Sequence, residues 1–232
     1  MNFNSNLIKG TLVRRYKRFL ADIDLEEEIR ITAHCPNPGS MAGLKEPGSE
    51  VWVSLAVNPK RKLKFTWEMI RVGRGLVGIN TNLSNNIVQE GVSKNAISEL
   101  SGYEFQRREV KYGKNSRVDF LLESSNRPAC YVEVKNVTLR RGRLAAFPDS
   151  ITSRGTKHLF ELANQVKAGN RAVIFYLVQR EDCEGFTIAD DIDIRYAEAY
   201  SYAVRTGVDV LCYQCKLTPN HIDLDTQLSV RY

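Results

Sequence analysis

Residues 117–137 read RVDFLLESSNRPACYVEVKNV, two apolar strands on either side of the turn ESSNRP. Strand-forming runs joined by so short a turn pair as a hairpin. With the turn centred on Asn126, residue 119 stands opposite residue 133, and Asp119 and Glu133 face each other with Cβ atoms roughly 5 Å apart. Like charges at that spacing repel, so shared protonation or a cation has to compensate. Lys135 lies two residues beyond Glu133 and shares its strand face. Three charged side chains thus sit among residues that otherwise read as core.

The surrounding order points to two domains. From residue 81 onward, a helix NNIVQEGVSKNAISEL follows the cap-like Ser84. Three strand-like pieces come next: YEFQRREVKY, RVDFLLE and ACYVEVKNV. A second helix, SRGTKHLFELANQVKAG, ends at Gly169, and RAVIFYLV is an apolar strand long enough to be central in a sheet. A further helix over 193–206 and strands over 208–216 and 221–231 complete an α/β domain with a mixed sheet across 81–232. On the first helix, Val88, Val92 and Ala96 form an apolar stripe. At ~100° per residue Glu99 falls about 20° from Val88, which aims a third carboxylate at the same cluster. Residues 1–80 hold strand-like pieces only, TLVRRYKRFLADI, EIRITAH, EVWVSLAV, KFTWEMIRV and GLVGIN, separated by turn residues. Such a pattern fits a small β-barrel, with the oligonucleotide-binding (OB) barrel the leading candidate.

Three carboxylates and a lysine are the parts of a hard-cation phosphodiester site. Asp119, Glu133 and Glu99 would supply oxygen ligands to Mg²⁺ or Mn²⁺. Such a cation stabilises charge developing on phosphate and lowers the pKa of a bound water. Lys135, a compact ammonium, would hold that water or the developing charge. The competing reading is a buried ion-pair network. Glu109-Val110-Lys111 spells EVK a second time. That copy has no Asp facing it across a tight hairpin and reads as structural.

Charge supplies the partner. The chain carries a formal net charge of +6, and residues 1–80 hold 13 Lys or Arg against 8 Asp or Glu. Two dense runs stand out: RRYKR with Arg14, Arg15, Lys17 and Arg18, and KRKLK with Lys60, Arg61, Lys62 and Lys64. Cations interleaved with rings suit the phosphates and bases of DNA, single-stranded or duplex. A solvated barrel surface is the alternative. Beyond the hairpin, TLRRGRLAAFPDSITSRGTKH adds Arg140, Arg141, Arg143, Arg154 and Lys157, with Asp149 its only acid. This segment should border the site; His158 is read as flanking the helix's buried face. The five cysteines read as reduced thiols of a cytoplasmic protein. In the strand-like stretch VDVLCYQCKL, Cys212 and Cys215 would point to opposite faces rather than share a metal. No apolar run is long enough to span a membrane and the start lacks a secretory signal. Oligomeric state stays open.

The helix–strand–strand–strand–helix–strand order, with Asp119 on one strand and Glu133-x-Lys135 on the next, resembles the PD-(D/E)xK nuclease superfamily, with Val118 where its motif has Pro. Over essentially its full length the chain resembles the sugar fermentation stimulation protein A family. That resemblance rests on RYKRFLAD, HCPNPGSM, ISELSGY, EVKYG, the DF…YVEVKNVTL block, FPDSITSRGTKHL and RAVIFYLVQR. It implies an OB-like barrel followed by a nuclease-like domain, DNA binding of low sequence preference, and regulation of sugar use through transcription. Carried over, the nuclease motif falls on Asp119, Glu133 and Lys135, with Glu99 as the helix acid. The expected function is DNA binding with a retained Mg²⁺ or Mn²⁺ site; an active nuclease is the alternative. The loop HCPNPGSM carries two prolines and a glycine and reads first as a rigid turn, with His34, Asn37 and Ser40 either capping the barrel or touching phosphate.

Overall fold

Every described strand of the first eighty residues joins one sheet. A computed structural model of the chain describes residues 1–3, 5–26, 29–113 and 116–231. The strands are β1 (Ile8–Tyr16), β2 (Leu20–Leu25), β3 (Arg30–His34), β4 (Glu50–Leu55), β5 (Phe65–Val72) and β6 (Gly75–Gly78). They run in the order β3-β2-β1-β4-β5-β6, and β3 also pairs in parallel with β5 through Ala33↔Phe65 and His34↔Thr66. That last pairing closes five strands into an OB barrel and leaves no open edge on β3. Leu12, Ile23, Val51, Val53, Trp67 and Ile70 fill it. The stretch 11–23 is not one strand, as its composition suggested. Lys17 and Arg18 take left-handed backbone angles (φ 44° and 63°) and turn it into the β1–β2 hairpin. The basic run 14–18 is therefore split between a strand end and an exposed turn.

The second domain contains α1 (Ser84–Ser93), β7 (Phe105–Tyr112), β8 (Ser116–Ser124), β9 (Arg127–Val137), β10 (Leu139–Arg141), β11 (Leu144–Phe147), α2 (Ser153–Lys167), β12 (Arg171–Val178), β13 (Gly185–Ile188), α3 (Ile194–Thr206), β14 (Asp209–Leu217), β15 (Ile222–Gln227) and β16 (Val230–Arg231). Its main sheet has the order β15-β14-β12-β9-β8-β7. β12 is central and parallel to both neighbours, β9 and β14, while the outer pairs are antiparallel. A strand buried on both faces has no polar side to alternate with. Val173, Phe175 and Leu177 accordingly pack toward α1, and Ala172, Ile174, Tyr176 and Val178 toward α2 and α3. Thr152 caps α2 by accepting from Gly155 N at 3.1 Å, and Asp193 caps α3 by accepting from Tyr196 N at 3.1 Å. Cys212 and Cys215 belong to the cores on opposite faces of the sheet, as strand alternation requires.

Two departures from the sequence reading matter for the site. α1 ends at Ser93, and Asn95 adopts a left-handed conformation (φ 52°) that breaks the helix before Glu99. In addition, β10, β11, β13 and β16 build a small separate sheet beside the main one. The barrel joins the main sheet where Gly78 N donates to Gln179 O at 2.8 Å and Val77 bridges to Arg180. Among the described residues no helix is long and apolar enough to cross a membrane.

Candidate functional site

The hairpin of β8 and β9 pairs through Leu122↔Cys130, Leu121↔Tyr131 and Phe120↔Val132. One further step sets Asp119 opposite Glu133, the register that a turn centred on Asn126 implies. The ladder is interrupted there. Asp119 Oδ2 accepts a hydrogen bond from Val134 N at 2.7 Å, in place of a bond between the strands. Its Oδ1 accepts from Asn85 Nδ2 at 2.8 Å, contributed by the first turn of α1. The two strands part around this carboxylate and form a fork.

Glu133 and Lys135 point from β9 toward α2. Glu133 is only 3% exposed. Lys135 Nζ donates to Glu133 Oε1 at 2.7 Å, and His158 Nδ1 from α2 bonds the same oxygen. Arg154 Nε donates to His158 Nε2 at 3.4 Å, so the network places the ring proton on Nδ1, facing Glu133. Glu133 Oε2 is buried without a hydrogen-bond partner among the described residues, as is the Tyr112 hydroxyl.

These contacts pull the two carboxyls apart electrostatically. Burial, followed by the charge of Glu133, pushes Asp119 above the usual carboxylate range. Burial pushes Glu133 upward too, but Lys135 and His158 outweigh it and hold that carboxyl below its usual range. Burial, Glu133, Glu161 and Asp119 together raise the Tyr112 phenol. Negative charge is therefore concentrated on one side of the fork, with one acid fixed as the anion by its neighbours.

Glu99 does not join this cluster. It lies on a 3-10 turn, Ser98–Leu100, where Oε2 accepts from Tyr213 Oη at 2.8 Å and Oε1 from Gln227 Nε2 at 2.7 Å. A helical angle counted from Val88 loses its meaning once the helix breaks at Asn95. Glu109 and Lys111, the second EVK, are exposed on β7.

The basic residues divide into two groups. Arg14 pairs with Asp22 at 2.8 Å, while Arg15 and Arg18 donate to the carbonyls of Asn37, Gly39 and Pro38. These arginines brace the HCPNPGSM loop, whose Asn37 side chain in turn accepts from Gly39 N at 2.9 Å. The loop's rigid-turn reading thus has specific contacts behind it. Arg61 donates to Thr66 Oγ1 at 3.1 Å, and Lys64 to the carbonyl of Pro59. Arg140, Arg141 and Arg143 pair with Asp182, Asp191 and Glu184, acids that lie some forty to fifty residues further along the chain, outside the segment in which Asp149 is the one acid. Arg154 reaches His158, and Lys157 lies 3.6 Å from Glu161. Lys17, Lys60 and Lys62 are exposed and make no ion pair among the described residues.

Sequence reasoning missed Asn85, His158 and Tyr112 as members of the cluster. His158 follows Arg154 by one helical turn on a face that turns out to be buried, which is a faint signal at most. Asn85 carried none beyond its place in the first turn of a helix.

Two family models match the chain. One, described as the SfsA N-terminal OB domain, covers residues 13–79, and the other, the sugar fermentation stimulation protein RE domain, covers residues 82–221. The sugar fermentation stimulation protein homolog of Paramagnetospirillum magneticum is 54% identical over 230 residues, spanning 99% of this chain and 98% of that one. The homolog of Rhodospirillum centenum is 55% identical over 229 residues, 98% of each chain. The solved structure of Pyrococcus furiosus SfsA in complex with Ca²⁺ superposes with a TM-score of 0.90 at 25% identity, covering 100% of this chain and 98% of that one.

Proposed function

The chain belongs to the sugar fermentation stimulation protein family, and from that premise we propose that it binds DNA with little sequence preference and holds a divalent cation in the fork between β8 and β9. The observation that carries the metal reading is Glu133 Oε2, a buried carboxylate oxygen without a hydrogen-bond partner among the described residues, opposite Asp119 in hairpin register. Leaving a buried acceptor unsatisfied costs about 1–3 kcal/mol, which a ligand would recover. The donor set fits a hard cation. Asp119 and Glu133 offer oxygens, and a two-carboxylate site leaves the positions for water that Mg²⁺ usually keeps. Among the described residues no third His, Cys, Asp or Glu completes a ready cage. The Pyrococcus protein was solved in complex with Ca²⁺, an ion of the same oxygen-seeking class.

A bound Mg²⁺ or Mn²⁺ would stabilise negative charge on a phosphate and acidify a water. The chain's own residues have separate tasks. Asn85 and Val134 N fix the Asp119 carboxylate, and His158 fixes Glu133. Lys135 presents an ammonium, 13% exposed, beside both the acid and the opening of the fork. Its position favours a second reading, phosphodiester cleavage, with Lys135 holding the attacking water or the phosphate oxygen. A role in the control of sugar use follows from the family and is proposed with DNA binding as its means.

Thermal melting of metal-stripped protein tests the site. Mg²⁺ or Mn²⁺ should raise the midpoint, because a ligand bound only by the folded state stabilises it by mass action. Asp119→Asn should abolish that rise, together with any Mn²⁺-dependent cleavage of single-stranded, duplex or branched DNA, while Glu109→Gln should leave both intact. A parent melt indifferent to either metal would return the cluster to a structural ion-pair network.

A further inference from the structure

Between the barrel and the first turn of α1 lies a cavity of about 920 Å³, distinct from the fork. Glu68 on β5 forms its floor. This carboxyl is 5% exposed and accepts from Ser54 Oγ at 2.6 Å and from Asn80 Nδ2 at 2.8 Å. Each of its oxygens has thus used one acceptor position and keeps another. Burial pushes the Glu68 carboxyl above its usual range. Arg61 stands at the cavity wall, within the basic run 60–64. Leu55 and Val57, 55% and 86% exposed, form an apolar side left open among the described residues.

A volume near the upper end for small-molecule sites, apolar walls and a few convergent polar groups mark a ligand cavity. The chemistry narrows the ligand. The apolar side of Leu55 and Val57 suits the face of a ring, the free lone pairs of Glu68 suit N–H donors on that ring's edge, and a guanidinium suits a phosphate. A nucleotide combines all three. The first turn of α1 contributes to both places: Asn85 donates to Asp119 in the fork, while Asn86, the next residue, lines the cavity.

We propose that this cavity binds one nucleotide, with the base edge on Glu68 and Asn80 and the phosphate on Arg61. Its source is either a free mononucleotide or one residue of a DNA strand that continues to the fork. The proposal rests on the nucleic-acid reading above and adds to it a dependence on the base, which phosphate contacts alone do not create.

Calorimetric titration of the full chain in a metal chelator separates these cases. The probes are 2′-deoxyguanosine 5′-monophosphate, deoxyribose 5-phosphate, an intact single-stranded pentamer, and pentamers with one abasic residue at each position in turn. One seated base should raise affinity about 5- to 100-fold over its abasic counterpart. A gain for the mononucleotide over the sugar phosphate identifies the free source; a gain confined to the pentamers identifies the strand. Glu68→Gln should lose the base-dependent gain. Leu55→Asp, on an exposed wall where folding is not at risk, should lose it as well, and Arg61→Ala should weaken nucleotide and sugar phosphate alike. Equal affinity for intact and abasic probes, or a gain that survives both Glu68→Gln and Leu55→Asp, would overturn the proposal. DNA binding that persists without any base dependence would sink the cavity alone. Binding of the mononucleotide but of no DNA would sink the DNA reading and leave the cavity standing.

Discussion

At Glu133 a buried carboxylate depends on two neighbours for its charge. Removing one partner of a buried ion pair costs on the order of 3–5 kcal/mol, because the remaining charge stays desolvated. Lys135→Met should destabilise the metal-free protein by about that much at neutral pH, and adding Glu133→Gln should recover most of the loss. The pH dependence has a definite sign. Glu133 is held below its usual value in the folded state, so its contribution is complete above the unfolded glutamate pKa and disappears as pH falls through the depressed folded value. Urea melts of parent and Lys135→Met should therefore differ most near neutrality and converge in acid. Asp119, Glu133 and Lys135 were legible in the sequence because strand alternation has a period of two and the turn fixes the parity of the pairing. Asn85 and His158 were not, since their part depends on how two helices are set against the sheet, which no local pattern encodes.

The fork is a property of paired elements rather than of any one side chain. Val134 N is held by the Asp119 carboxylate where the β8–β9 ladder is interrupted. Asp119→Ala should speed hydrogen exchange at Val134 by tenfold or more, on the order of one hydrogen bond. Exchange at Val132, still inside the ladder, should change little. Equal effects on both amides would mean that the strands are paired through the site. β12 was readable as a central strand because burial on both faces erases alternation. The end of α1 was misplaced because its apolar spacing continues past the break: Ala96 and Ile97 still look periodic although the left-handed Asn95 has ended the helix. The small sheet of β10, β11, β13 and β16 escaped notice for a related reason. Its strands are two to four residues long, too short for a period to register, and the pairings that join its β10–β11 hairpin to β13 and β13 to β16 link segments far apart in the chain.

Across the whole molecule, the barrel and the α/β domain are joined at close quarters. Gln179, fully buried, donates through Nε2 to Asn136 Oδ1 at 2.6 Å, next to Lys135. A Cβ at Gly78 would lie 2.2 Å from Gln179 Oε1. Gly78→Ala must displace that side chain and should lower stability by about 1–3 kcal/mol, seen as a lower melting midpoint. The Lys and Arg of the basic runs, counted from the sequence, outnumber the cations left without an ion pair. Arg14 pairs with the nearby Asp22, and Arg140, Arg141 and Arg143 with acids from a later part of the chain. Lys17, Lys60 and Lys62 are exposed cations of the two barrel runs without an ion pair among the described residues, and Arg18 and Lys64, also exposed, donate to backbone carbonyls. The most direct measurement is fluorescence anisotropy of labelled DNA, single-stranded and duplex, in two unrelated sequences, with metal-stripped protein across a series of salt concentrations. The account predicts similar affinity for the two sequences and a log affinity that falls linearly with log salt. In the triple variant Lys17→Ala, Lys60→Ala, Lys62→Ala, that slope should be shallower by about two to three. An affinity independent of salt, or no binding to either form of DNA at low salt, would contradict it.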